Sequence, residues 1–480
     1  MAEAVSSWWD SRLARTLDRL ALLAATLVLV RLVLEEDLTW IAVLSIFVLV
    51  VSLTAIRWPL GALLVLIGMS AMPVYFVEIS GWKARPEHFA AGIVLAAVFI
   101  AFVFLKQRAS WDRLDYWILA YLAINFISSA FASSAPSSTL RWALQNSLAV
   151  LPYFLIRFLV RDLDMLRKTF RILLAVGFAE CIYGILCYAS HQIFGTTAGV
   201  QVGQYFVDVA APYGSMYEPN LFGAYTACCA SLFLACYLFA GRHLRYMIYF
   251  LIASLAAVLS FSRAALAALV ITTVWVFWKA RHANTFDLKK LAVFAIALTL
   301  IITLAFTLAG DILIKRFTNL YYEGLTEETA IARFIVFQEA LMDIPGHVFF
   351  GNGTASFNLS FDWAPYMPQW AGEKTWIGNA PLRIVHDTGL IGLSVMVGFF
   401  VTVWRKVRKI NRAQGTYDAM LLGLLAGILL YSISFQSTDG TILAFFWVHL
   451  GLLASTTILS IPPAETKQQS TVNLTSGTTD

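Results

Sequence analysis

KLAVFAIALTLIITLAFTLA, residues 290–309, decides the fold. Behind its leading lysine run nineteen uncharged residues, of which only Thr299, Thr303 and Thr307 are polar. As a helix such a run rises about 30 Å, the thickness of a bilayer's hydrocarbon core. Outward from it the same texture recurs along the chain. Of 480 residues, 59% are hydrophobic and 13% charged, with a mean hydropathy of +0.73. A soluble fold cannot hide that much apolar surface, whereas lipid solvates it. A transmembrane β-barrel would show short alternating strands in place of continuous apolar runs. The composition therefore predicts an all-α, polytopic transmembrane helical bundle.

Apolar windows predict about fourteen spans, with twelve as the lower bound. They fall near 20–34, 39–56, 59–77, 88–105, 114–132, 142–160, 170–190, 219–240, 246–262, 264–279, 290–309, 384–404, 416–434 and 441–460. Alternate connections carry the positive charge: Arg12, Arg15 and Arg19; Arg57; Lys106, Arg108 and Arg113; Arg161 to Arg171; Arg242 and Arg245; Lys279 to Lys290; and Arg405 to Arg412. The intervening connections have almost none, so both termini are expected in the cytoplasm. The net charge of +5 is then a topology signal and argues for no nucleic-acid partner. No cleavable signal is expected, because the first apolar stretch is long and lacks a small-residue cleavage site. The expected organisation is eleven spans in 1–309, an external loop in 310–383, three spans in 384–460 and a disordered cytoplasmic tail in 461–480. Cys181, Cys187, Cys228, Cys229 and Cys236 all lie in apolar segments and read as packing residues.

The external face holds the residues that can do chemistry. The long loop ends in Arg383-Ile-Val-His386-Asp387-Thr-Gly389-Leu-Ile-Gly392, which puts an ionisable imidazole at a membrane boundary. A neutral imidazole there can take a proton from a hydroxyl near neutral pH. Gly389 and Gly392 bare one helix face, so a ligand or another backbone can come close. Arg263 joins two spans with almost no loop, holding a guanidinium at the membrane surface where phosphate is the natural partner. Arg333 falls in 326–342, which reads as an amphipathic helix capped by Thr326 and stopped by Pro345-Gly346. Arg316, Lys83 and Arg85 are further cations that break the inside bias. Glu218 and Asn220 stand where a helix N-terminus can receive an anion. Trp363, Tyr366, Trp370 and Trp376 offer either sugar-stacking faces or an interfacial aromatic belt. Gly351-Asn352-Gly353 reads as a tight turn and not a nucleotide loop, and the scattered histidines suggest no metal site.

Four patterns together resemble the O-antigen ligase and polymerase superfamily of bacterial membrane glycosyltransferases. They are Glu218-Pro219-Asn220 before a span, Ser262-Arg263-Ala264 in a tight turn, Arg333 followed by Pro345 and Gly351-x-Gly353, and His386-x-x-Gly389-x-x-Gly392. The resemblance covers roughly 200–400, and Asp387 stands where a common family form has Asn or Ser. It implies an inner-membrane enzyme with its site on the periplasmic face. The donor would be a glycan on undecaprenyl diphosphate, the acceptor a glycan or lipid hydroxyl, and no cofactor or metal would be needed. Membrane lipid and other polysaccharide-assembly proteins would be its partners. His386 would be the base, Arg263 and Arg333 would stabilise the departing diphosphate, and Glu218, Asn220, Arg316, Lys83, Arg85 and Trp370 would bind substrate.

Ligase, polysaccharide polymerase and protein O-glycosyltransferase differ only in acceptor, and no local pattern separates them. A transporter or flippase is the competing class. It would place ionisable residues near mid-membrane and show repeated halves, whereas Glu180 is the main mid-span charge and no repeat is visible.

Overall fold

The computed structural model describes residues 58–460 apart from 75–76, 80–81, 106–109, 203–209, 241–242, 284, 286–287, 323–327 and 415–417. The expected spans at 20–34 and 39–56 and the tail 461–480 lie outside the described residues, as do the side chains of Lys83 and Arg316.

The chain is an all-α, polytopic helical protein. It opens with α1 (Pro59–Ser70), a hairpin of β1 (Val77–Ile79) and β2 (Trp82–Ala84), and α2 (Pro86–Leu105). There follow α3 (Arg113–Phe131), α4 (Pro136–Leu159) and α5 (Leu163–Phe194), then a second hairpin of β3 (Val200–Val202) and β4 (Ala210–Pro212). Next come α6 (Pro219–Phe239), α7 (Leu244–Leu259), α8 (Arg263–His282) and α9 (Leu288–Tyr322). The polar segment contributes α10 (Glu328–Asp343) and α11 (Ser356–Ser360), before α12 (Ala380–Gln414), α13 (Ala419–Ser434) and α14 (Ala444–Leu459). Six of these helices (α3, α5, α6, α8, α9 and α12) are long and apolar enough to cross a membrane by length and composition.

Local chemistry sets the helix ends. Asp112 and Asp115 form a reciprocal capping box at α3, and the Asp162 carboxylate accepts from the Met165 amide at 2.8 Å at α5. Ser262 caps α8, and Pro219 begins α6 with φ already set for a helix. Helix α6 is the centre of the bundle, buried from Leu221 through Leu238. Its small residues, among them Ala224, Ala227, Ala230 and Ala235, let α7, α8 and α13 pack close. All five cysteines are free and buried. At the other extreme, the stretch that opened the reading is the least enclosed. Ile296, Leu300, Ile302 and Phe306 of α9 are about half or more exposed, an apolar surface that suits lipid.

The helix boundaries depart from the sequence reading at three places. Helix α1 stops at Ser70, short of Pro73, and the expected 59–77 span is completed by a turn and hairpin. Helix α9 kinks at Ala309 (φ −152°, ψ 24°) but stays helical through Tyr322, so the polar segment starts as helix and not as loop. Helix α12 begins at Ala380 and is broken at Gly389 (φ 67°, ψ −171°), a backbone state essentially reserved for glycine. A Cβ at Gly389 would lie 2.1 Å from the Phe349 carbonyl oxygen. The glycine thus admits another backbone, and the amide of Leu390 donates to the Val348 carbonyl beside it at 2.8 Å. Gly389→Ala is expected to cost on the order of 1–3 kcal/mol from backbone strain alone. Thermal unfolding of the detergent-solubilised variant, alongside Gly392→Ala, measures it.

Candidate functional site

One cavity of about 920 Å³ opens at one end of the bundle. Its walls come from chain starts: Arg85 precedes α2, Glu218 to Leu221 begin α6, Arg263 begins α8 and Leu443 precedes α14. Four helix N-termini therefore meet at the cavity, and the positive ends of their dipoles favour a bound anion. Helix α10 lies across with its inner face, Ala332, Arg333, Val336 and Phe337, on the cavity. That helix is anchored because Val336 and Ala340 bury themselves with Phe357, Trp363, Trp370 and Ile377. Its other face, with Phe334 and Leu341, is exposed.

Arg85, Arg263, Arg333, Glu218, Asn220 and Trp370 all line this cavity. Arg85 is 6% exposed, pairs with Glu87 at 3.3 Å and stands over the Tyr217 ring at 5.3 Å. Glu218 precedes the first turn of α6, where the Thr438 hydroxyl donates to its Oε1 at 2.5 Å. Burial raises its carboxyl above the usual 4.5, opposed in part by the Thr438 bond and the nearby Arg333 charge. Glu218 as a whole is half-buried and lines the cavity.

His386 is placed differently. It is 1% exposed and is not part of the cavity lining. Its Nδ1 lies 3.3 Å from Asp387 Oδ1, its Nε2 lies 3.4 Å from Asp343 Oδ2, and Phe357 meets the ring edge-on. Asp387 is held in turn by the Arg383 guanidinium at 3.1 Å and the Ala355 amide at 3.0 Å. Arg383 also pairs with Asp439 and donates to the Thr441 hydroxyl at 2.6 Å. Asp439 lines the cavity, so a buried charged network runs from His386 through Asp387, Arg383 and Asp439 to the cavity. Lys83 lies on β2 opposite Glu78, and Arg316 lies within α9.

Residues missed by the sequence reading are Asp439, Thr438, Arg383, Trp142 and Gln145. Arg383 and Asp387 are spaced i, i+4 on one helix, a readable signal. Asp439, in the connection between α13 and α14, is the acid that Arg383 pairs with. Glu180, the mid-span charge, accepts from the Ser215 amide at 2.8 Å and the Ser215 hydroxyl at 2.7 Å. Both of its carboxylate oxygens are thereby satisfied within the fold. Among the described residues, no group of three His, Cys, Asp or Glu side chains could hold a metal ion.

No family model matches the chain, and comparison with curated proteins finds none similar to it. Fold and composition define a helical protein whose apolar helices suit a membrane, with a cation-lined cavity at one end of its bundle.

Proposed function

We propose that the chain is a membrane glycosyltransferase that moves a glycan from an undecaprenyl-diphosphate carrier to an acceptor hydroxyl in surface-polysaccharide assembly. The observation that carries this reading is the convergence of Arg85, Arg263 and Arg333 with four helix N-termini on one cavity. Such a wall suits a diphosphate, and the apolar helices suit the polyprenyl tail. In this reading the chain works in a bacterial inner membrane with the cavity on the periplasmic face, as the charge alternation implies.

The chemistry asks little of the protein beyond positioning and charge. The acceptor oxygen bonds to the anomeric carbon while the bond from that carbon to the diphosphate oxygen breaks. Arg263 and Arg333 stabilise the negative charge gathering on the diphosphate. Glu218, the carboxyl on the cavity wall, takes the acceptor's proton, and His386 acts through the Asp387–Arg383–Asp439 network as a positioning residue.

The direct test is purified protein in nanodiscs with a lipid-linked glycan and acceptor, scored by acceptor-dependent release of undecaprenyl diphosphate. Folded protein that releases none sinks the proposal. Long chains built on the carrier would mark a polymerase, and transfer onto a lipid or protein acceptor would mark a ligase or a protein O-glycosyltransferase. Arg263→Ala is expected to lower turnover by about 10²–10³-fold. Arg263→Lys should fall well short of full activity, because a point charge lacks the guanidinium's two-pronged grip.

A further inference from the structure

We propose that the indole pair Trp142 and Trp376 forms a subsite that stacks a pyranose ring of the glycan, an inference that rests on the transfer reading above. Trp142 lies on α4 and Trp376 on the segment leading to α12, more than two hundred residues later. The fold brings them edge to face, with ring centroids 5.0 Å apart and planes at 84°. Both line the cavity and both are half-buried.

The loop aromatics divide sharply by exposure. Trp363 and Trp370 are 5% and 9% exposed and belong to the small core beneath α10. Tyr366 is not part of the cavity lining, and its hydroxyl donates to Glu339 Oε1 at 2.6 Å. Of the four tryptophans that line the cavity, Trp142 and Trp376 are the two that stay half-buried where Trp363 and Trp370 are buried. An indole face with its negative quadrupole packs well against the polarised C–H groups of a sugar ring.

Polar side chains share the cavity wall with the indole pair. Gln145, one turn beyond Trp142 on the same face of α4, also lines the cavity. Its amide nitrogen has no hydrogen-bond partner among the described residues, a costly state for a side chain only 8% exposed. Glu373, Lys374 and Thr375, immediately before Trp376, complete the wall. Aromatic faces ringed by amide, carboxylate, ammonium and hydroxyl groups match a sugar, which is apolar on its faces and polar around its rim. They match neither a bare polyprenyl chain nor an isolated phosphate.

The test uses the full chain in nanodiscs with two separate probes. One is the oligosaccharide released by mild acid from the producing cell's polyprenyl-linked glycans, and the other is undecaprenyl diphosphate. Saturation-transfer NMR should show contact at sugar C–H protons. Trp376→Leu and Trp142→Leu should each weaken oligosaccharide affinity about tenfold and leave undecaprenyl diphosphate affinity unchanged. Trp376→Leu, which changes a loop residue, keeps the test valid if the α4 variant fails to fold. Unchanged oligosaccharide affinity in a folded variant overturns the subsite. So does a wild-type protein that binds undecaprenyl diphosphate but no oligosaccharide, an outcome that leaves the transfer reading standing. Binding of neither probe overturns both.

Discussion

Arg383→Met is expected to destabilise the protein by about 3–5 kcal/mol, the cost of leaving a buried charge without its partner. Arg383 is 3% exposed and its guanidinium serves Asp387, Asp439 and Thr441 at once. Removing it strands two carboxylates that are 1% and 8% exposed. Methionine fills similar volume, so the loss reports charge more than packing. The five buried free cysteines supply the measurement, since a thiol-reactive dye reports their exposure on heating. The double variant Arg383→Met with Asp439→Asn should recover part of the loss, because one stranded charge is gone. An unfolding midpoint within one degree of wild type, about 1 kcal/mol for a chain of 480 residues, would count against the network as a structural element.

The same network shows why part of the site was legible and part was not. Arg263 was readable because two apolar runs leave only Ser260, Phe261 and Ser262 between α7 and α8, so its guanidinium has one place to be. Glu218 and Asn220 were readable for the same reason, since Pro219 fixes a helix start beside them. His386 shared the right segment and the right end of the bundle, yet its direction was not encoded locally. The break at Gly389 and the backbone that fills it decide which way the preceding turn faces, and that backbone comes from 348–350. Asp439 and Trp142 were invisible because their roles depend on partners 56 and more than two hundred residues away in sequence. Apolar patterning reports the solvent a helix meets, while a polar side chain's role is settled by tertiary contact.

Glu218→Gln is expected to lower transfer by about 10²–10⁴-fold, the usual contribution of a positioned general base. A carboxyl works as a base only when ionised, so activity should rise with pH as Glu218 loses its proton. Burial holds that carboxyl above 4.5, so the acid limb of kcat/KM should fall above the ordinary glutamate range. The Arg333 charge opposes this rise. Arg333→Gln should therefore move the limb to still higher pH while also weakening diphosphate binding, two effects separable in kcat and KM. His386→Gln supplies the decisive contrast. A residue acting through Arg383 and Asp439 changes the rate but leaves the limb's position with Glu218, whereas a proton acceptor takes the limb with it. A limb that survives Glu218→Gln and vanishes in His386→Gln would return the proton to the histidine, and would require α12 to turn about Gly389 during the reaction.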